Sequence, residues 1–462
     1  MPVHCKPCPS SSGQNAVVRA VHAAAIGIDV HANMLVASLQ RCELGTARLE
    51  TSEARVEPTT RRELSEFVET CLKFKPEVIV MESTGVYWLS LYGLLEEAGF
   101  RSSQIHVLNA RDVKPLRGRK TDEGDARRLC EIARMGTSRP SFIPARRFRE
   151  LRALSRAMRN AARMARITLQ RVHKDLSSLG CRASAVFSDL RGLAASRIVK
   201  ALVEDGLSGE ALLEFIKANC GKLKHSPEEI YEALDADMQS PVWESVRSSM
   251  RMMRCAEAEE ETLYARIKQL LSPYSRQLEL LQTLPGVKEK AAVQILCEIG
   301  DDLSSFGNSR KFASWAGVSP GNNESAGRRT SGRVTKGNKH LRATLVECAN
   351  AISLMKGRGG KVGQYFQALK ERRGHLRAVI ATAHKLVRII FAMFRDDAPY
   401  QDDPNCQTLR KHRVERLRAA AEGVAEVDLG INGDIVLTDE SGATYGTVRT
   451  EVRRKRRAEP IS

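Results

Sequence analysis

From residue 24 onward the apolar residues of the chain fall into two rhythms, one of period two and one near three and a half. Ala25-Ile26-Gly27-Ile28-Asp29-Val30 is a short apolar run, and Met34 to Leu39 is a second; polar residues between them predict two strands joined by a tight connection. Arg61 to Lys73 carries Leu64, Phe67, Val68 and Leu72 at helical spacing. Val78 to Met81 reads as a buried strand halted at Glu82-Ser83-Thr84-Gly85, Val86 to Ala98 as a helix, and Ile105 to Leu108 as a further strand. Strands alternating with helices predict an α/β domain with a mixed sheet over residues 23–145.

After Pro144 the pattern turns helical. Leu151, Leu154, Met158, Ala161, Ala165, Leu169, Val172 and Leu176 form one apolar stripe, with Arg149, Arg152, Arg156, Arg159, Arg163 and Arg166 beside it. A spacing alternating between three and four is that of a coiled-coil seam and its flank. A second arm, from about Val246 to Leu271, offers Glu257, Glu259, Glu260 and Glu261 to face those arginines. Residues 146–275 are therefore expected to be a helical coiled-coil region. The arginine stripe is either a salt-bridged helix face or a phosphate-tracking surface formed by Arg152, Arg156 and Arg159.

Residues 276–395 form a third, mainly α region. It opens on Leu281 to Lys288, containing Pro285-Gly286-Val287, and continues into an amphipathic helix from Ala291. This is a helix-hairpin-helix pattern, in which backbone N–H groups near Gly286, together with Lys288, can hold a phosphate without reading bases. Residues 396–462 add an acidic stretch, a hairpin between Asp434 and Val448, and the basic run Arg453 to Arg457, an appendage that adds phosphate affinity. Residues 1–22, rich in Pro, Ser and Gly, read as a disordered arm.

Charge narrows the partner. The 462 residues carry a net charge of +18, which predicts a polyanion: nucleic acid first, an anionic membrane surface second. The 11 cysteines include one C-x-x-C pair, Cys5 and Cys8, and no second pair to complete a zinc ribbon. The other cysteines read as small buried residues of a reducing compartment. No stretch resembles a signal peptide or membrane span, so the expected location is the cytoplasm.

Four acids stand where chemistry is expected. Asp29 closes the first strand and Glu82 a later one, while Asp122 and Asp125 share one face of a helical turn that Thr121 caps. Singly, each acid is a cap or a surface residue. Together they offer an oxygen cage for Mg²⁺ or Mn²⁺ of the kind that phosphodiester chemistry uses. Farther on, Gly321 to Arg342 reads as a flexible loop dense in cations and hydroxyls. Arg328, Arg329, Arg333, Lys336, Lys339 and Arg342 can neutralise phosphate there. Ser325, Thr330, Ser331 and Thr335 are, by chemistry alone, equivalent nucleophiles.

These motifs, in this order, resemble the transposases of the insertion sequence 110 family. Gly27-Ile28-Asp29-Val30-His31, Met81 to Gly85 and Lys120 to Ala126 resemble its DEDD signature, which belongs to an RNase H-like, Holliday-junction-resolvase-like domain. Leu284 to Val287, Gly317 to Pro320, Ser325-Ala326-Gly327 and Lys336 to Arg342 resemble its C-terminal transposase domain. The resemblance spans roughly residues 24–395; Ala326 stands where the family often has glycine. It implies that Ser325 is the nucleophile, forming a transient phosphoserine link to DNA with metal ions at Asp29, Glu82, Asp122 and Asp125. It also implies a structured non-coding RNA bridging target and donor DNA, dimers and tetramers, and composite sites across subunits. Two other readings stand beside this one: a metal-dependent hydrolytic junction nuclease, and a nucleic-acid-binding protein with a decayed site.

Overall fold

The computed structural model describes residues 20–42, 49–83, 85–109, 113, 121–221, 223–321, 323–325, 328–331, 333–355 and 359–402, and three strands beyond. Cys5, Cys8 and nearly all of the expected N-terminal arm lie outside the described residues. So do Arg453 to Arg457. Where the arm ends, Val21 and His22 donate backbone hydrogen bonds to the carbonyl of Arg134.

The first domain is built on a five-stranded sheet. β1 (Ala24–Val30), β2 (Leu35–Cys42), β3 (Leu49–Val56), β4 (Val78–Glu82) and β5 (Ile105–Leu108) lie in the order β3-β2-β1-β4-β5. β1 to β3 form an antiparallel meander, and β4 and β5 extend it in parallel. The sheet is mixed, as the sequence predicts, with one strand more. β3 escapes the pattern because it is an edge strand with mostly exposed residues, among them Glu50, Glu53 and Arg55. Charge on an edge blunts pairing with other chains and also removes the apolar alternation by which a strand is read.

Side-chain alternation gives the sheet two buried faces. Ile26, Ile28, Ile79 and Met81 pack with the helices α1 (Arg61–Phe74) and α2 (Trp88–Glu97). Ala25, Val78 and Val80 face α3 (Asp122–Arg134), through Leu129, Cys130 and Ala133.

α4 (Arg146–Ser178) and α9 (Val242–Leu270) are long helices packed side by side. Their pairing is antiparallel: Phe148, Leu151 and Met158 share a core with Ile267 and Leu271, and Leu169, Val172 and Leu176 share another with Val246 and Met250. The distal core is closed by four short helices, α5 (Ala183–Val186), α6 (Leu193–Val203), α7 (Gly209–Asn219) and α8 (Pro227–Ala233). The middle region is thus a helical hairpin with a helical cap. Glu260 pairs with Lys290 rather than with the arginines of α4.

The C-terminal region comprises α10 (Ser275–Gln282), α11 (Glu289–Ile299), α12 (Ser309–Trp315), a hairpin of β6 (Asn323–Ser325) and β7 (Arg328–Ser331), α13 (Lys339–Leu354), α14 (Gly360–Arg373) and α15 (His375–Asp396). Its core includes Leu281, Leu296, Phe312, Leu345, Phe366 and Leu386, and it takes in the first turns of α4 and the end of α9. The hydrophobic core therefore runs across the boundary drawn at residue 275. Phe142, Phe306, Phe312 and Trp315 form an aromatic cluster that ties the segment before α4 to this region. Arg149 pairs with Glu96 and Arg146 with Glu97, which fastens the start of α4 to α2.

Beyond residue 402, strands β8 (Glu426–Leu429), β9 (Ile435–Thr438) and β10 (Thr444–Val448) form an antiparallel sheet, adding one strand to the expected hairpin. Among the described residues, no helix is long and apolar enough to cross a membrane.

Candidate active site

The site begins with a glycine. A Cβ on Gly27 would overlap the backbone nitrogen of Cys130 and the carbonyl of Ala126, and would stand 2.8 Å from Cys130 Cα. Because position 27 has no side chain, α3 presses directly onto β1, and its first turn comes to the end of the strand. Thr121 caps that turn, its hydroxyl accepting from the N–H of Gly124 at 3.2 Å, as its position predicts.

Asp29 lies two residues beyond Gly27, on the same face. β1 and β4 run in parallel with Ile28 beside Met81, so the next residues, Asp29 and Glu82, are neighbours on adjacent strands. Asp29 is buried, with 6% of its surface exposed. Burial drives its pKa above the usual carboxylate value; His31 pulls it back, while the charges of Glu82, Asp125 and Asp122 push it higher. The other three predicted acids thus all act on Asp29. A buried carboxylate crowded by three others calls for a cation, and this donor set fits a hard divalent ion.

The pattern of acids leaves out one member of the cluster. The Nε2 of His31 lies 3.1 Å from Asp29 Oδ2 and 3.5 Å from Asp122 Oδ1. These three ligand atoms all lie within 4.8 Å of one another. The signal was available: His31 follows Asp29 by two residues, the spacing that returns to the same face of a strand.

The segment expected to be a flexible loop is a β-hairpin, in which Ser325 pairs with Arg328 and Glu324 with Arg329. Ser325 closes β6; the side chains of Ser325, Arg328, Arg329, Thr330 and Ser331 lie outside what the structure describes. Thr335 is committed elsewhere, donating its hydroxyl to the Ser314 carbonyl at 3.1 Å. The hairpin stands on a closed base. Gly321 N–H donates to Arg333, Thr335 N–H to Ser319 and Asn338 N–H to Trp315, and Pro320 bridges Val334. Lys288, Arg333, Lys336 and Lys339 are exposed, and Arg342 is half-buried.

Of the two readings of the arginine stripe, the structure shows ion pairs of the salt-bridged helix face. Arg152, Arg156 and Arg159 face α11 and α13. Arg156 grips the carboxylate of Glu298 with bonds of 2.8 and 2.9 Å, and Arg152 donates to the Glu298 carbonyl at 3.1 Å. Arg159 reaches Gln294 at 3.0 Å, Thr344 and Glu347. Glu298 is buried and also accepts from Asn338 Nδ2 at 2.7 Å. Its burial raises the pKa, but the bonds from Arg156 and Asn338 and the guanidinium charges outweigh this and hold it low. Burial lowers the pKa of Arg152 to about 10.

The residues expected to form a helix-hairpin-helix lie on α10, a turn and α11. Gly286 has φ of +77°, and a Cβ there would meet the Cys348 carbonyl at 2.6 Å and Ile352 Cγ1 at 2.7 Å. The glycine is therefore required for packing of the turn against α13, whatever the turn binds.

Comparison with known proteins agrees with both halves of the chain. Residues 26–180 match a model of the DEDD transposases of insertion sequence 110, and residues 278–364 match the transposase IS116/IS110/IS902 family. The transposase for insertion sequence element IS1111A of Coxiella burnetii is 23% identical over 354 residues, spanning 74% of this chain and 84% of its own. The putative transposase y4pF/y4sB of Sinorhizobium fredii is 24% identical over 74% of this chain and 78% of its own. A pilin gene-inverting protein of Moraxella bovis is 30% identical across 26% of this chain and 38% of its own. Among solved structures, Thermus thermophilus RuvC is similar to 26% of this chain over 99% of its own, with 17% identity and a TM-score of 0.21. An acidic α/β domain followed by this C-terminal region makes the chain a DNA-recombining enzyme. It belongs to the insertion sequence 110 family of transposases.

Proposed function

We propose that this transposase cuts and rejoins DNA through a transient phosphoserine link at Ser325, assisted by divalent cations held by Asp29, Glu82, Asp122 and Asp125. The observation that carries the reading is the convergence of the other three acids on the buried Asp29. Mg²⁺ or Mn²⁺ bound there supplies activation of the attacking oxygen and stabilisation of the leaving one. In our reading the first domain is RNase H-like. The Ser325 hydroxyl attacks a phosphorus, the bond to one ester oxygen breaks, and that strand end leaves as a free hydroxyl. Because the serine ester conserves the phosphodiester energy, a new strand end reverses the step without net hydrolysis.

Exposed Arg333, Lys336 and Lys339, with Arg342, Arg328 and Arg329, provide phosphate contacts at and after the serine hairpin, and exposed Lys288 provides one at the turn before α11. The motifs shared with the family support a structured non-coding RNA as guide. They also support assembly as a dimer or tetramer, with acids and serine contributed by different subunits. A relative named for gene inversion favours rejoining over simple hydrolysis.

The test is to incubate the protein with nicked element-end DNA and Mg²⁺, then denature. A covalent adduct whose DNA-bearing peptide contains Ser325 is expected, and Ser325→Ala removes it. Cleavage that survives Ser325→Ala identifies a hydrolytic nuclease instead. Binding unaffected by Mg²⁺ and by Asp29→Asn, without cleavage, identifies a decayed site.

A further inference from the structure

We infer that His31 is a nitrogen ligand of the metal centre, completing a mixed nitrogen and oxygen donor set with Asp29 and Asp122. The inference rests on the metal-binding reading above and adds a residue and an ion preference to it.

The geometry supports coordination. Adjacent ligands of an octahedral ion with bonds of about 2.1 Å stand about 3.0 Å apart. His31 Nε2 lies 3.1 Å from one carboxylate oxygen and 3.5 Å from the second. The three ligand atoms all lie within 4.8 Å of one another, so they form a triangle rather than a line. The main chain that carries the imidazole is also held in place. The backbone N–H of His31 donates to the Met34 carbonyl at 2.8 Å, closing the tight connection between β1 and β2. Just past the end of β1, the ring lies beside Asp29, its Nε2 3.1 Å from Asp29 Oδ2. The ring is 39% exposed, so an ion can reach it without rearrangement of the core.

The donor type has a consequence. An all-carboxylate cage suits Mg²⁺, whereas an imidazole moves preference toward transition ions. The centre therefore binds Mn²⁺ more tightly than Mg²⁺, and that preference belongs to His31.

The experiment titrates Mn²⁺ into the metal-free full-length protein and records pulsed electron paramagnetic resonance spectra. A nitrogen hyperfine coupling is expected in the wild type and is lost in His31→Asn. Protein made with nitrogen-15 histidine should show the altered coupling, a readout that needs no substitution and so no assumption about folding. His31→Asn should raise the Kd for Mn²⁺ about tenfold, with little change for Mg²⁺. Bound Mn²⁺ without nitrogen coupling overturns the role of His31 and leaves the carboxylate site standing. Failure of the wild type to bind Mn²⁺, or equal binding by Asp29→Asn, overturns the metal reading and this inference with it.

Discussion

Gly27 and Cys130 are in backbone contact across the strand–helix interface, closer than any residue with a side chain at position 27 would permit. The candidate site depends on this contact, because α3 carries Asp122 and Asp125 on its first turn and Gly27 precedes Asp29 by two residues. An alanine at position 27 must displace a helix backbone rather than a side chain. We expect Gly27→Ala to cost about 1–3 kcal/mol in denaturant unfolding, the range for overpacked interiors. Mn²⁺ affinity should fall as well, because the displaced turn holds two of the four acids. Unchanged stability and metal binding would remove the contact from the account of the site.

Asp29 makes the metal-free protein sensitive to pH. Its pKa is raised in the fold, chiefly by burial, so its contribution to stability is complete below the ordinary carboxylate value. That contribution is lost as pH rises through the raised one. Asp29→Asn should therefore raise the Tm of chelator-treated protein by a few degrees at neutral pH, with the gain vanishing toward acid. Added Mn²⁺ should reverse the order, stabilising the wild type alone. Thermal unfolding across pH, with and without the ion, checks both signs.

Glu298 joins three separate segments, and its removal should be costly. Glu298→Ala leaves Arg152 buried and Arg156 partly so, without their carboxylate, a situation that typically costs about 3–5 kcal/mol. Glu298→Gln, which keeps the volume and one acceptor, should cost less. Because Asn338 caps α13 and bonds Glu298, adduct formation at the neighbouring hairpin should slow in both variants. Urea unfolding and single-turnover adduct kinetics measure the two effects.

Phosphate binding should segregate from the arginine stripe. Replacing Arg152, Arg156 and Arg159 together should lower stability while leaving the salt dependence of DNA binding unchanged, since their guanidinia are engaged within the protein. Replacing exposed Lys336 and Lys339 with glutamine should flatten the dependence, by roughly 0.9 in log–log slope for each phosphate no longer neutralised. A flattened slope in the arginine variant would show that the stripe opens toward nucleic acid.

The sequence was most informative where a residue's role depends on its immediate neighbours. Thr121 caps α3 as expected because an N-cap acts within three residues. The central strands were readable because both their faces are apolar. β3 was not, because an edge strand with charged positions lacks that alternation. The short helices α5 to α8 are buried against one another and against the distant turns of α4 and α9, so no single stretch announces them. The arginines of α4 show the limit most clearly. Their periodicity was visible, but Glu298 lies more than a hundred residues away in the chain.

By itself the sequence determined the α/β plan of the first domain, the largely helical remainder and the family, and it singled out the four acids as candidates, because apolar periodicity, capping and ordered motifs are local properties. Tertiary structure alone decided that α3 meets β1 at Gly27, that His31 joins Asp29 and Asp122, and that the arginine stripe turns inward to Glu298. Those outcomes depend on which distant atoms come into contact and how far water is excluded from them, and periodicity along the chain encodes neither.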